Sequence, residues 1–274
     1  MCWVNLAIYL DTSPYLPPLI FVLYYTLIPS NPEEPNYFTY IGKELDFFAQ
    51  ATNWKNYIKF LINECIHGYV LEVGAGIGNN TTAFLNCSYH KWLCLEPDNN
   101  LLKSLRLNTN LSQSTKHYFQ NGTTNDLDKS ILFDSILYID VLEHIYMDRA
   151  ELIRASQLLN TNGSLIILSP AHQCLFSPFD SSIGHFRRYN KSMIKKIVPH
   201  NIEITNLIYL DCVGLIGNII NKLFLKQSMP SLKQIQFWDK FMIPISRKID
   251  PLTFYHLGKS VLLIGKKVDE QYKL

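Results

Sequence analysis

The sequence has no Cys-x-x-Cys pair, no lysine or arginine between Met1 and Leu10, and no surplus of either charge. Its six cysteines, at 2, 65, 87, 94, 174 and 212, fit no zinc spacing. They read as reduced thiols of a cytosolic chain, and Cys65 and Cys94, lying in apolar runs, read as buried. A secretory signal needs a basic start and a small-residue cleavage site, and Met1–Leu10 lacks the basic start. Residues 12–32 carry no charge and Leu16–Ile28 is strongly apolar. Pro14, Pro17, Pro18 and Pro29 cut this stretch to about a dozen residues, short of the roughly 20 that cross a bilayer. The expected compartment is therefore the cytoplasm. With Lys plus Arg at 25 against Asp plus Glu at 23, the net charge is +2, which gives no electrostatic case for a nucleic-acid partner. Internal repeats and low-complexity tracts are also missing. What is there is core material: of 274 residues 47% are apolar and only 18% charged, which excludes a disordered polyelectrolyte.

Asn31-Pro-Glu-Glu-Pro-Asn36 reads as a linker, so residues 1–36 are expected to form an apolar extension and linker, and 37–274 the folded domain. Phe47, Ala51, Trp54, Ile58, Leu61, Ile62 and Cys65 recur at steps of three and four, which predicts a helix over Tyr40–His67 that stops at Gly68. From Tyr69 onward short apolar runs alternate with helical patterns. Strands are expected at Tyr69–Val73, Trp92–Glu96, Lys116–Gln120, Phe133–Ile139, Ser164–Ser169, Glu203–Tyr209 and Ser260–Gly265. Helices are expected at Asn80–Leu85, Leu101–Leu107, Glu143–Leu159 and Lys191–Ile197, with Asn162-Gly163 as a turn. Such alternation builds an α/β domain whose mostly parallel, seven-stranded sheet has helices on both faces. Two excursions interrupt the rhythm: the loop Pro170–Tyr189, and an insertion at 211–258 before the last strand. The insertion mixes apolar runs with Lys222, Lys226, Lys233, Lys240, Arg247 and Lys248. Long excursions near strand ends are usually lids or substrate-binding elements.

The sharpest local pattern is Val70-Leu71-Glu72-Val73-Gly74-Ala75-Gly76-Ile77-Gly78, an apolar strand running into three alternate glycines and then a helix. Glycine lets the backbone turn tightly and lets a ligand lie against it, and the helix start offers unpaired N–H groups. A dinucleotide fingerprint needs a third glycine where this chain has Asn79 or Thr81, so neither register fits. Glu96 ends the second strand, where an acidic side chain can accept from both hydroxyls of a ribose.

The Glu-x-Gly-x-Gly-x-Gly pattern resembles the first motif of the class I S-adenosylmethionine-dependent methyltransferases. Phe133–Ile145, ending in Leu142-Glu143-His144, is similar to the fourth-strand motif of that family. Leu158–Leu165 is similar to the turn into its fifth strand. Further segments resemble a bacterial type 11/12-like subfamily: Tyr40–Leu45, Phe48–Lys55, Ile183–Tyr189 and Gly258–Ser260. The resemblance spans Tyr40 to Lys267. It implies a Rossmann-like class I methyltransferase fold with S-adenosyl-L-methionine as cofactor. Glu72 would sit near the cofactor's amino group, and the backbone of Gly74, Ala75, Gly76 and Gly78 would pass its methionine part. Glu96 and Pro97 would lie at the ribose, Gly122 and Thr123 at the adenine, and Asp140 and Val141 after the fourth strand. One departure stands out: where the family usually has Gly-Asp after the third strand, this chain reads Gly122-Thr123. Thr123, or Asn125 or Asp126 after a small shift, would take the aspartate's place at the adenine amino group.

In an open α/β sheet, ligands collect at the carboxyl ends of the strands. This places His144, the loop with His185, Arg187, Arg188 and Tyr189, and the insertion around the transferred methyl. The candidate catalytic residues are His144, as base or acceptor orienter, and His185, in a loop cluster that would contact substrate or close over the site. A metal-dependent enzyme would gather acidic and amide ligands. Single histidines and scattered carboxylates do not make that set, so no metal is expected. The expected acceptor is a small molecule, a sugar derivative or a lipid-linked intermediate, methylated on oxygen. The apolar-basic insertion is the basis for a lipid-like acceptor and for peripheral membrane contact. Two rival readings are a non-catalytic relative that binds the cofactor and acts as an interaction protein, and a nicotinamide-dependent oxidoreductase.

Overall fold

The computed structural model describes Tyr40 and residues 45–220 and 229–269. The expected extension and linker at 1–36 lie outside these residues, as do Ile41 to Glu44, Lys222 and Lys226. Seven strands form one sheet: β1 Gly68–Val73, β2 Tyr89–Glu96, β3 His117–Asn121, β4 Phe133–Ile139, β5 Leu159–Pro170, β6 Ile202–Leu210 and β7 Ser260–Lys267. Their order is β3-β2-β1-β4-β5-β7-β6. The first five pair in parallel, and β7 lies antiparallel between β5 and β6.

The strands read as nearly continuous apolar runs because both faces are covered. On one face Val70, Trp92, Leu137, Ile166 and Leu262 pack with the helix Thr52–Ile62 and with Leu102, Leu105 and Trp238. On the other, Leu71, Leu93, Ile136, Leu165 and Leu263 pack with Leu152, Ala155 and Leu158 of the helix Asp148–Leu158, and with Ile194. Alternate residues of one strand thus serve opposite cores.

Three expected elements differ from those found. The helix expected over Tyr40–His67 is broken within the described residues into Leu45–Phe48 and Thr52–Ile62, with a short 3-10 turn at Asn63–Cys65. The break exposes the backbone N–H groups of Asn53 and Trp54, which donate to the carboxylate of Asp239 at 3.1 and 2.8 Å. That carboxylate comes from the insertion and caps the helix from outside. The helix expected at Glu143–Leu159 starts only at Asp148, where Asp148 and Glu151 suit the positive end of its dipole; before it lies a 3-10 turn, Leu142–His144. Finally, β5 begins at Leu159, so Asn162-Gly163 falls inside the strand. Asn162 takes a left-handed φ of 63° there.

The insertion is helical: Cys212–Ile220, Leu232–Phe237, a π turn at Trp238–Met242, and Ile243–Leu252. Two buried aspartates fasten it. Asp211 accepts from Gly214 N at 2.9 Å, Ser246 Oγ at 2.6 Å and Trp238 Nε1 at 2.7 Å. Asp250 accepts from Tyr57 Oη at 2.9 Å, Asp211 N at 2.7 Å and Cys212 N at 3.0 Å. Buried carboxylates are tolerated only when their lone pairs are met in this way. No helix among the described residues is long and apolar enough to cross a membrane.

Candidate functional site

A cavity of about 1580 Å³ opens at the carboxyl ends of the strands. Ligand sites usually measure roughly 300–1,000 Å³, so this one has room for more than a single small molecule. Gly74, Ala75 and Gly76 line it from the turn after β1, and Glu96 and Pro97 from the end of β2. Gly122 and Thr123 reach it after β3, and Asp140, Val141 and His144 after β4. His185 arrives from the loop after β5.

The three glycines of the turn do different work, although all have positive φ, at 66°, 57° and 82°. A Cβ on Gly74 would come within 2.7 Å of Val141 Cγ2, and one on Gly78 within 2.5 Å of Leu105 Cδ1. Those two are glycine so that strand, turn and helix can close up. A Cβ on Gly76 would meet only Leu45 Cδ1, at 3.9 Å. Gly76 faces open cavity, and its backbone is what a ligand would lie against.

Glu96 is 4% exposed. Its Oε2 accepts from Gly76 N at 2.8 Å and its Oε1 from Asp98 N at 2.9 Å. Burial raises its carboxyl above the ordinary value, and those two N–H groups oppose the rise. Each oxygen has a further lone pair with which to accept from a hydroxyl donor. Asp98 caps the helix Asn99–Leu107 through Asn100 N and Leu101 N, and its Oδ2 accepts from Tyr40 N at 2.6 Å. Burial would raise its carboxyl, but the three backbone N–H groups together bring it below the ordinary value.

Two residues expected at the cofactor lie elsewhere. Gly78 is packed against Leu105 and Leu111, behind the turn. Glu72 is 1% exposed and turned into the core, where its Oε2 accepts from Thr81 Oγ1 at 2.6 Å and Trp92 Nε1 at 2.9 Å. Burial pushes its carboxyl up to about 7. It ties β1 to the helix Asn79–Ala83 and to β2, beneath the turn and away from the cavity. Thr123 is in place, but its amide and hydroxyl both donate to Asp126 Oδ2, at 2.7 and 2.9 Å. Asp126 itself does not line the cavity, whereas Asn125 does.

The far wall carries most of the titratable groups. Asp140 sits in a left-handed conformation, φ 54°, with its side chain toward the cavity. Enclosure by protein pushes its carboxyl up to about 6, while His185 and Lys259 pull it down. The residue is exposed where it lines the cavity, so a ligand that covered it there would add to the push. His144 is lowered to about 4, first by burial and then by His185, with the Gly184 backbone opposing. Its ring meets that of His185 edge-on, centroids 4.5 Å apart.

His185 is held by Asp180, whose Oδ1 lies 3.0 Å from Nδ1. Asp180 also receives a two-pronged contact from Arg188, Nε at 2.8 Å and Nη2 at 2.9 Å, and a hydrogen bond from Ser177 Oγ at 2.8 Å. Despite its burial these partners hold its carboxyl well below the usual range. Glu143 is fully buried; Ser169 Oγ donates to its Oε2 at 2.9 Å. Its Oε1 has no hydrogen-bond partner and lies 3.8 Å from His185 Nε2. Burial and then Asp140 raise its carboxyl well above the ordinary value. Glu143, His144 and His185 each bring one donor atom to within 4.8 Å of the others, a convergence that sequence spacing does not reveal.

Sequence reasoning also missed Lys259. Its ammonium lies 3.7 Å above the Trp238 ring and 3.4 Å from Asp211 Oδ2. Burial lowers its pKa, against the pull of Asp211. No local signal marks it, because its partners come from the insertion. Arg187 points outward to Asp148 and the backbone of Tyr146. His172 pairs with the Gly258 carbonyl at 2.9 Å, and it does not line the cavity.

No family model matches the sequence, and no curated protein matches it. Solved structures do. Phosphoethanolamine N-methyltransferase 2 of Haemonchus contortus, in complex with phosphomonomethylethanolamine and S-adenosylhomocysteine, is 14% identical with a TM-score of 0.55, over 83% of this chain and 58% of that one. The N-methyltransferase NodS of Bradyrhizobium japonicum is 10% identical with a TM-score of 0.52, over 81% and 99%. An S-adenosylmethionine-dependent methyltransferase of Clostridium acetobutylicum is 13% identical with a TM-score of 0.50, over 80% and 93%. The chain therefore has the Rossmann-like fold of the class I methyltransferases.

Proposed function

We propose that this chain transfers the methyl group of S-adenosylmethionine to an oxygen of a small-molecule, sugar-derived or lipid-linked acceptor. The observation that carries the reading is the bare backbone at Gly76, facing open cavity 2.8 Å from the Glu96 carboxylate. A methionyl chain fits against the first and a ribose against the second. The fold and the size of the cavity add support, since two ligands must share the site.

When bound, the cofactor supplies a methyl on a sulfonium, already activated because a neutral thioether leaves. The work left to the protein is alignment, exclusion of water and one proton transfer. Gly74, Ala75 and Gly76 present backbone to the methionine part. Glu96 accepts from the ribose hydroxyls, and Pro97, Gly122, Thr123 and Asn125 border the adenine. Val141 holds the turn against β4. Glu72 acts from beneath, fixing the turn's flanks rather than touching the cofactor. His144 is unprotonated at neutral pH and accepts the acceptor's hydroxyl hydrogen. A weak base suffices, because an oxygen gaining a methyl becomes strongly acidic as the bond forms. Asp180 fixes the His185 ring, and His185 positions His144. No step draws on a metal. The chain is proposed to act in the cytoplasm, in contact with a membrane surface when the acceptor is lipid-linked.

The test is methyl transfer from labelled donor into cell extracts, fractionated into aqueous and lipid phases. Label should enter one fraction with the native chain and fall about a hundredfold or more with His144→Ala. Binding of S-adenosylhomocysteine with no transfer into any fraction would instead leave a non-catalytic binding protein.

A further inference from the structure

Among the described residues, the exposed face of the insertion is rich in apolar side chains and carries charge of one sign only. On the helix Cys212–Ile220, Ile216, Ile219 and Ile220 are exposed at 58%, 40% and 46%, one stripe at spacings of three and four. Along the continuous helical run from Leu232 to Leu252, Phe237, Phe241, Ile245 and Ile249 follow at intervals of four and are 57%, 51%, 48% and 36% exposed. Leu252 and Phe254 extend the apolar surface at 77% and 79%. Soluble monomers seldom leave so many large apolar side chains together in water.

The charges are sorted. Asp211, Asp239 and Asp250, the only acidic residues of 211–258, are all buried, at 0%, 5% and 0%, and engaged as caps and anchors. Lys233, Lys240, Arg247 and Lys248 are all exposed. Lys240 Nζ lies 5.7 Å from the Phe241 ring and Arg247 4.7 Å from the Phe60 ring, stems along apolar surface and heads in water. Ile220 and Phe237 belong both to this face and to the wall of the cavity, so the mouth of the cavity opens beside it.

We propose that this face docks on an anionic lipid bilayer. Apolar side chains enter the interfacial region while the basic heads meet lipid phosphates. A second copy of the chain would set basic residues against basic residues across a two-fold axis, and a protein partner would have to supply every compensating acid. The docking surface stands on these residues alone; that it delivers a lipid-linked acceptor to the cavity rests on the proposed methyl transfer.

Flotation of the full chain with vesicles tests it. Vesicles of phosphatidylglycerol and phosphatidylcholine should carry the protein upward, and phosphatidylcholine alone should carry much less. Phe241→Ser with Ile245→Ser, and separately Lys240→Glu with Lys248→Glu, should each weaken binding by about tenfold or more. None of these four residues lines the cavity, so affinity for S-adenosylhomocysteine should stay unchanged, which separates failure of the surface from failure of the methyl-transfer reading. Three outcomes overturn the proposal: no flotation with anionic vesicles, equal flotation of the variants, or flotation only after residues 1–36 are removed. The last would make that apolar segment the natural cover of the face.

Discussion

Gly76 N–H donates to Glu96 Oε2 at 2.8 Å, so the turn after β1 and the carboxylate at the end of β2 form one rigid cradle. Sequence reasoning treats them as separate features twenty residues apart. Joined, they present bare backbone and an oriented carboxylate to one ligand.

Glu96→Gln should test the carboxylate's half of that cradle. It keeps the size, but its NH2 must face the N–H of Gly76 or of Asp98, so one cradle hydrogen bond is lost together with the charge-assisted ones to ribose, worth roughly 1.5–3 kcal/mol. Affinity for S-adenosylhomocysteine should fall about tenfold to a hundredfold by calorimetry. Unchanged affinity would remove Glu96 from the site.

The glycines should separate by readout. Gly74→Ala shares the left-handed strain of Gly76, roughly 1–2 kcal/mol, and also places a methyl within 2.7 Å of Val141 Cγ2, which adds an overpacking cost of roughly 1–3 kcal/mol to its loss of stability in urea. Gly76→Ala meets open space and should lose only the backbone strain of its positive φ, roughly 1–2 kcal/mol. Equal losses of stability would contradict the packing role given to Gly74.

Glu72 should make stability depend on pH. Its carboxyl sits at about 7 in the folded chain, against roughly 4.3 for a free glutamate. The folded state therefore holds a proton that the unfolded chain releases. Stability is greatest below the unfolded value, declines as pH rises through 4.3 toward 7, and levels off above it. The accumulated loss is roughly 4 kcal/mol. Glu72→Gln stays neutral throughout, so its advantage over the native chain should grow from pH 5 to pH 8 in parallel thermal melts. A constant difference would mean that Glu72 folds in its ionised form.

Arg188→Ala should destabilise the loop after β5. It strips the two-pronged partner from Asp180, 1% exposed, and breaking a buried pair costs roughly 3–5 kcal/mol. Chemical denaturation should detect that loss. A change below about 1 kcal/mol would mean that solvent reaches Asp180.

Chelation tests the metal-free mechanism. Methyl transfer should be unaffected by EDTA. Loss of activity restored by one divalent cation would turn Glu143, His144 and His185 into its ligands.

Much of this was legible in the sequence because it is local. Strand-length apolar runs place the sheet, and the alternate glycines after Val73 place the tight turn that follows β1. Long-range partners were not legible. Nothing near Ala51 announces that Asp239 caps the helix beginning at Thr52, because the cap comes from 186 residues away. Glu72 looks like a ligand residue by position, yet Trp92 and Thr81 claim it. His144 and His185 are 41 residues apart in sequence but meet ring to ring because a short 3-10 turn replaces the expected start of a helix.

The central claim is that the bend at 74–78 and Glu96 hold an adenosyl cofactor. Calorimetric titration of the full chain with S-adenosylhomocysteine and with NAD, repeated on Gly76→Val, tests it most directly. The account predicts saturable binding of S-adenosylhomocysteine, none of NAD, and loss of the former in a variant that still melts cooperatively. Undiminished binding by Gly76→Val, or a preference for NAD, would contradict it.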